Sequence, residues 1–420
     1  MKILHVSTHD SSGGAARAAY RIHRALVASG INSRMRVLHG GTGDDLVTSG
    51  APRPINVRLI EMLQRRLIAI THRGWQTDNT TLHTFGHIGA KLVEELNSSD
   101  ADVLHLHWIS KMLSVKDIGR LKKPIVWTLH DMWPFCGGEH YAPDDAARFR
   151  KGYNAHNRPL WESGPDLNRR TWMAKRRAWA QQHFSLVCPG EWLAGCARDS
   201  VLFAQSQVQV IPNCLDTLHT WRAIPRDVAR IELGLPLDKK LIMFGADGGV
   251  ADPRKGADFL REGLELALSK KAHSVELLVF GQSNSKDGDR WPCHVHWLGT
   301  VRDDRVLALA YSAADVMVVP SRQDNLPNTA IEAQACGTPV AAFNVGGLPE
   351  IVTHRKTGWL AKPFDIIDLA EGMMWLIDDD ERQQILSEAA RRQAVARFSE
   401  SVVAAEYVEL YRSVLNRLGV

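Results

Sequence analysis

Asp324 and Glu332 stand eight positions apart in VVPSRQDNLPNTAIEAQACGTPVAAF, residues 318 to 343. A β-branched run ends in Pro320 and Ser321, a polar turn follows, and a helix is expected to begin near Asn328. One acid therefore lies in a loop at a strand end, and the other lies one turn into a helix. Loop carboxylates at strand ends are well placed to accept hydrogen bonds from sugar hydroxyls. A helix start offers N–H groups with no partner inside the helix, and the positive end of its dipole, to phosphate. On that reading Glu332 holds a ribose diol and Asp324 reaches a more distal sugar ring. The competing reading makes Glu332 a surface helix residue and Asp324 a turn former.

Three other loops carry reactive residue types. SSGGAARAA follows the first strand and opens a helix, where Gly13 and Gly14 leave backbone N–H groups unobstructed for a phosphate or a sugar hydroxyl, or simply make a tight turn. The pattern is not GxGxxG, and the second strand ends in VLHGG without the acid that holds a ribose in dinucleotide sites, which argues against a nicotinamide or flavin enzyme. TLHDMWPFCGGEHY places His130 and Asp131 at a strand's carboxyl end, with Glu139 and His140 shortly after. His130 in that position suits a substrate hydroxyl or phosphate, whereas His105 and His107 in HLHW read as packed strand residues. No spacing matches a zinc pattern. ADPRKGADFL sets Arg254 and Lys255 just before a helix, where two cations match a diphosphate or form a solvated basic turn. The DGD at 287–289 reads as a polar loop rather than a metal–nucleotide site.

These loops need strands and helices to hold them. Short β-branched runs alternate with helical patterns, the signature of parallel α/β layers. The first half offers KILHVS, SRMRVL, DVLHLHW, PIVWTLH, FSLVCPG and VQVIPN; the second offers KLIMFGA, VELLVFG, VHWLG, VMVVPS, PVAAF and GWLA. At 420 residues the chain exceeds what one core usually serves. Polar, proline-containing sequence at roughly 212–227 marks the boundary between two Rossmann-like domains. The expected division is 1–212, then 213–397, then a terminal helix at 398–420 packing back on the first domain. Two open sheets of this kind bind ligands outside the carboxyl ends of their strands, in a cleft.

A net charge of +4 permits anionic ligands or a membrane surface, and no nucleic-acid fold signature accompanies it. Arg65, Arg66, Arg169, Arg170, Arg176 and Arg177 lie in amphipathic or Trp-bearing segments that suit anionic lipid heads or a solvated helix face. Six scattered cysteines with no CxxC pair read as reduced thiols. The apolar run at the start is too short for a signal peptide, so a cytoplasmic setting is expected, peripheral to the inner face of the membrane.

The motif PSRQDNLPNTAIEAQACGTPVAAFNVGGLPEIV, the basic loop DPRKG and the turn at the domain boundary resemble those of the family 4 glycosyltransferases, retaining enzymes of the GT-B fold. GGAARAAYRIHRAL and TLHDMWPF.GG.HY resemble a bacterial surface-polysaccharide subgroup of the colanic-acid transferase kind. The resemblance runs over nearly the whole chain and is weakest from about 142 to 180. It implies transfer of a sugar from a UDP- or GDP-sugar to a glycan or lipid-linked saccharide, with retained anomeric configuration, no metal and no further cofactor.

By the same resemblance His130, Asp324 and Lys255 are catalytic, and Gly13, Gly14, Arg254, Lys255, Asn325, Leu326, Asn328, Thr329 and Glu332 bind the donor. Asp131, Glu139 and His140 face the acceptor. The chain departs from the family pattern in three places. Its first acid is Asp instead of Glu, Pro327 has no N–H to give, and FGADGG lacks an Arg found there in relatives. Two other readings stay open: a GT-B nucleotide-sugar epimerase, and a non-catalytic nucleotide-sugar-binding scaffold.

Overall fold

The computed structural model describes residues 1–50, 72–143, 147–245, 252–270, 275–281 and 291–418. Arg65, Arg66 and the DGD at 287–289 lie outside these residues. The chain forms two compact units. Unit 1 comprises Met1–Pro189, Leu193–Ile211 and Tyr407–Val420; unit 2 comprises Gly190–Trp192 and Pro212–Glu406.

Unit 1 holds a parallel sheet of β1 (Lys2–His9), β2 (Asn32–His39), β3 (Val47–Thr48), β4 (Val103–Leu106), β5 (Ile125–Thr128), β6 (Phe184–Cys188) and β7 (Gln207–Val210). Its order is β3-β2-β1-β4-β5-β6-β7. Central strands of a parallel sheet are covered on both faces, so their sequences are continuously apolar. VLHL of β4 and IVWT of β5 are buried at every position. The helix Gly14–Ala28 follows β1 and turns Ala16, Ala18, Ala19, Ile22 and Leu26 inward. It stops at Ala28, and Gly30 two residues on takes a left-handed φ of 79°.

Unit 2 holds β8 (Lys240–Gly245), β9 (Val275–Phe280), β10 (Val295–Gly299), β11 (Val316–Val319), β12 (Val340–Phe343) and β13 (Gly358–Ala361), in the order β10-β9-β8-β11-β12-β13. Alternate residues feed two separate cores. Leu241 and Met243 of β8, with Met317 and Val319 of β11, pack on one face. Ile242 and Phe244, with Val316 and Val318, pack on the other.

All twelve strands expected from the sequence form. The thirteenth, β3, has only two residues and pairs through Met35↔Val47 and Arg36↔Thr48, too short to show a period of two. The segment expected to separate the domains is itself packed: Leu215 and Trp221 are buried in the core of unit 2. Leu215 N–H also donates to the Phe398 carbonyl at 2.7 Å.

No described helix is long and apolar enough to cross a membrane. Arg169, Arg170, Arg176 and Arg177 are exposed on the helix Leu167–Ala178, while Leu167, Trp172 and Lys175 turn inward. All six cysteines are free thiols, and every one except Cys293 is buried.

Candidate functional site

In unit 2, β8 and β11 are neighbours in the sheet, so the loops leaving their carboxyl ends lie side by side. The turn Pro253–Lys255 belongs to the first loop, and residues 320–327 form the second. They are tied together at the backbone: Arg322 N–H donates to the Arg254 carbonyl at 2.8 Å, and the Arg254 guanidinium donates to the Gln323 carbonyl at 3.0 Å.

Asp324 sits in this junction, 6% exposed. Its Oδ2 accepts from Lys255 Nζ at 2.6 Å and from the Ser321 hydroxyl at 3.2 Å, with Arg254 Nη1 3.5 Å away. Burial alone would raise the carboxyl pKa, but the Lys255 and Arg254 charges outweigh it and hold the pKa below its ordinary value. The two cations therefore converge on one carboxylate instead of standing in solvent, and Asp324 is a buried ion-pair centre rather than a plain turn residue.

The loop is held from behind by two glycines. A Cβ on Gly347 would fall 1.6 Å from the Asn325 carbonyl oxygen, and one on Gly346 would fall 2.1 Å from that of Asp324. Gly347 N–H meanwhile donates to the Asp324 carbonyl at 3.1 Å. Only a residue without a side chain permits this approach.

The helix Asn328–Ala335 starts after Pro327 with no side chain capping it, which leaves its positive end to the loop. Asn325 and Leu326 are buried, and Asn328 and Thr329 are half-buried. Asn213 Nδ2 donates to Asn328 Oδ1 at 2.9 Å, fixing the first residue of the helix. Glu332, one turn in, is 3% exposed, and its Oε2 accepts from the Tyr311 hydroxyl at 3.0 Å. The surface-residue reading of Glu332 is thereby excluded.

In unit 1, β5 ends just before His130 and Asp131. Asp131 Oδ2 pairs with His140 Nδ1 at 2.6 Å and accepts from Trp108 Nε1 at 3.2 Å; Trp133 N–H donates to Oδ1 at 2.9 Å. His140 Nε2 meets the Thr84 hydroxyl at 2.9 Å. His130, Asp131 and His140 line one small pocket with His107, Trp108 and Trp133. Glu139 is buried elsewhere in the loop and accepts from the Tyr153 hydroxyl. Gly13, with φ 88°, caps the helix Gly14–Ala28 without a side-chain bond, and Gly14 is exposed.

Lys175 was hidden in a basic run. It is fully buried, and its ammonium donates to the carbonyls of Trp133, Cys136 and Gly137 while lying 3.8 Å above the Trp133 ring. Burial drives its pKa down to about 7. Trp172, Lys175 and Trp179 share one helical face, and that spacing is the signal that separates Lys175 from its exposed Arg neighbours.

His105 and His107 are buried, as expected of packed strand histidines. His105 Nδ1 meets the Tyr411 hydroxyl at 2.6 Å and its Nε2 meets Thr128 Oγ1 at 2.7 Å. His107 links two other rings: its Nε2 lies 2.9 Å from His5 Nδ1, and its Nδ1 lies 3.1 Å from His130 Nε2. Burial lowers the pKa of His130 to about 4 and those of His5, His105 and His107 well below the usual value. Among the described residues, His5, His105 and His107 form one group compact enough to hold a metal, and Glu276, His294 and His296 form another. In the first group the nitrogens of His105 and His107 are already engaged in hydrogen bonds.

Residues 12–218 match the model described as Glycosyltransferase Family 4, and residues 239–379 match Glycosyl transferases group 1. The chain belongs to the family 4 glycosyltransferases. The first match contains His130 and the second contains Lys255, Asp324 and Glu332. The chain is 32% identical to a D-inositol 3-phosphate glycosyltransferase of Thermobispora bispora over 215 residues, 48% of this chain and 49% of that one. A second D-inositol 3-phosphate glycosyltransferase, of Catenulispora acidiphila, is 34% identical over 46% of this chain and 48% of its own length. The chain spans about half the length of the curated relatives it matches. Among solved structures, the sucrose-phosphate synthase of Thermosynechococcus elongatus aligns over 99% of this chain and 100% of its own, with a TM-score of 0.66 at 19% identity. Anabaena HepE in complex with UDP-glucose aligns over 98% and 100%, with a TM-score of 0.63 at 17% identity. These likenesses establish the GT-B architecture: two parallel-sheet α/β domains.

Proposed function

We propose that this chain transfers a sugar from a UDP- or GDP-sugar to a glycan or lipid-linked saccharide in bacterial surface-polysaccharide assembly, with retention at the anomeric carbon. The observation that carries the proposal is the cation pair Arg254 and Lys255 gathered on Asp324, beside an uncapped helix start that bears Glu332 one turn in. Binding of UDP-glucose by Anabaena HepE agrees with a donor of this class.

In this reading Lys255 and Arg254 neutralise the leaving diphosphate while positive charge builds at the anomeric carbon, and the helix end adds its dipole. Those fixed charges do the work without a divalent ion. Glu332 accepts from the ribose, Asp324 from the donor sugar, and backbone N–H groups between Asn325 and Thr329 serve phosphate and sugar, Pro327 excepted. Gly13 and Gly14 offer N–H groups to phosphate, His130 meets the donor sugar, and Asp131, His140 and Glu139 belong to the acceptor side.

Asp324 is a poor covalent nucleophile, because Lys255 and Ser321 donate to its Oδ2 and the Asn325 N–H donates to its Oδ1. Retention then follows from transfer on one face. The bond from the anomeric carbon to phosphate breaks, the acceptor oxygen bonds to the same face, and its proton passes to the departing phosphate. The exposed arginines of Leu167–Ala178 suit the anionic inner face of the membrane, which supports a cytoplasmic enzyme peripheral to that face.

Thermal-shift screening against UDP, GDP and their sugars identifies the donor, since a ligand that binds only the folded chain raises the melting temperature. Anomeric coupling in the NMR spectrum of the product then reads the stereochemistry. Inversion, a trapped glycosyl–enzyme adduct, or epimerised donor formed without acceptor would each refute the proposal.

A further inference from the structure

His5, His107 and His130 form a continuous line of imidazoles from the interior of β1, through the end of β4, to the end of β5. The links are 2.9 Å and 3.1 Å, and the planes of consecutive rings are only 17° and 29° apart, with centroids 5.2 Å and 5.4 Å apart. His5 and His107 are 0% and 2% exposed. Burial disfavours the charged form of every ring in the line, so each is a neutral imidazole with one N–H donor and one bare acceptor nitrogen.

A line of neutral imidazoles has only two polarities. His107 is bonded to an imidazole on both sides, so whichever nitrogen it uses as donor towards one neighbour, it must accept from the other. The tautomer of His130 therefore follows from that of His5. The inner end selects the polarity. His5 Nε2 is buried with no hydrogen-bond partner among the described residues. The ring of His105, 4.7 Å away by centroid, has both nitrogens engaged with Tyr411 and Thr128. A proton on His5 Nε2 would bury an N–H with no acceptor, and such orphaned donors are rarer than under-used acceptors.

We propose that His5 and His107 are positioning residues that fix His130 as the Nδ1–H tautomer. His5 Nδ1–H donates to His107 Nε2, His107 Nδ1–H donates to His130 Nε2, and His130 carries its proton on Nδ1. Resting on the assignment of His130 to the donor sugar, this makes His130 a neutral hydrogen-bond donor to a sugar or phosphate oxygen rather than a base. The line holds the ring from its Nε2 side, and its polarity is set from the sheet interior.

The test is a long-range proton–nitrogen correlation spectrum of the full chain labelled with ¹⁵N-histidine, at pH 7 and without substrate. His5, His107 and His130 are expected to show protonated Nδ1 and bare Nε2. In His5→Phe, the His107 and His130 signals are expected to move together towards mixed tautomers. A wild-type His130 protonated on Nε2, an imidazolium signal from any of the three, or a His130 signal indifferent to His5→Phe would overturn the proposal. If His5→Phe does not fold, the wild-type spectrum decides alone. Turnover of His130→Ala reads the other assignment separately: full activity would remove His130 from the donor sugar whatever its tautomer.

Discussion

Lys255 and Asp324 are 69 residues apart in the chain and 2.6 Å apart in space. The ammonium proposed to meet a diphosphate is already paired with the carboxylate proposed to meet a sugar, so on that proposal nucleotide and Asp324 compete for one cation. Asp324→Asn is expected to bind free UDP or GDP as well as the wild type or better, while turnover falls about 100-fold or more. Lys255→Ala is expected to weaken nucleotide binding by roughly 10- to 100-fold, the range for a lost charge-assisted hydrogen bond. Titration calorimetry with the nucleotide alone, beside kcat with the sugar nucleotide, separates the two effects. Equal weakening of nucleotide binding by both variants would contradict the shared-cation arrangement.

The approach of Gly347 to the Asn325 carbonyl has a steric consequence. Gly347→Ala is expected to lower stability by about 1–3 kcal/mol through overpacking. Because the strain falls on the loop bearing Asp324, nucleotide affinity should fall with it. Denaturant melts and nucleotide titrations check both, and a variant with unchanged stability and affinity would show that the loop yields easily.

Acid should destabilise unit 1 steeply. Burial lowers the pKa of His5, His105 and His107 well below the usual 6.5, and those of His23 and His130 to about 4. The unfolded chain takes up these protons near pH 6.5 and the folded chain only far below it. Their contribution is therefore intact above 6.5 and lost progressively as pH falls towards 4. Each histidine contributes a slope of up to about 1.4 kcal/mol per pH unit. Urea melts from pH 7.5 to 5 should show this fall, and His107→Gln should flatten it; a level wild-type profile would contradict the burial of these rings.

Lys175 works in the opposite direction. Its folded pKa of about 7 lies below the usual 10.5, so between these values the unfolded chain binds the extra proton. Stability from this group is lowest below pH 7 and recovers as pH rises. Compared with Lys175→Met, the wild type should gain stability from pH 7 to 8.5, by at most about 1.4 kcal/mol per pH unit. A constant difference between the two proteins over that range would show that the lysine stays charged throughout.

The strands were legible because both faces of each sheet are covered, so VMVV and VAAF read as unbroken apolar runs bounded by Pro, Ser and Asn. The acid-bearing loop was legible for the same reason, since it is where such a run stops. The pairing of Asp324 with Lys255 was not legible, because it depends on β8 lying next to β11, a fact of strand order rather than of local sequence. The histidine line was hidden likewise: His5, His107 and His130 belong to three segments that meet only once β1, β4 and β5 lie side by side. Tyr311 carries no local mark that it will bond Glu332. Trp221 lay in a segment whose prolines and polar residues suggested a linker, yet it is 1% exposed.

Unit 1 draws on segments that lie on both sides of unit 2 in the chain. Its sheet is translated before unit 2, yet Tyr411, whose hydroxyl meets His105, and Tyr407, whose hydroxyl meets Thr128 at 3.1 Å, are translated only after it. Domains ordinarily fold from the amino terminus as they leave the ribosome. Here the first unit to emerge must wait with part of its interior unsealed until the second has been made, so a ribosome that stalls within unit 2 releases a first unit lacking the two tyrosines that complete it.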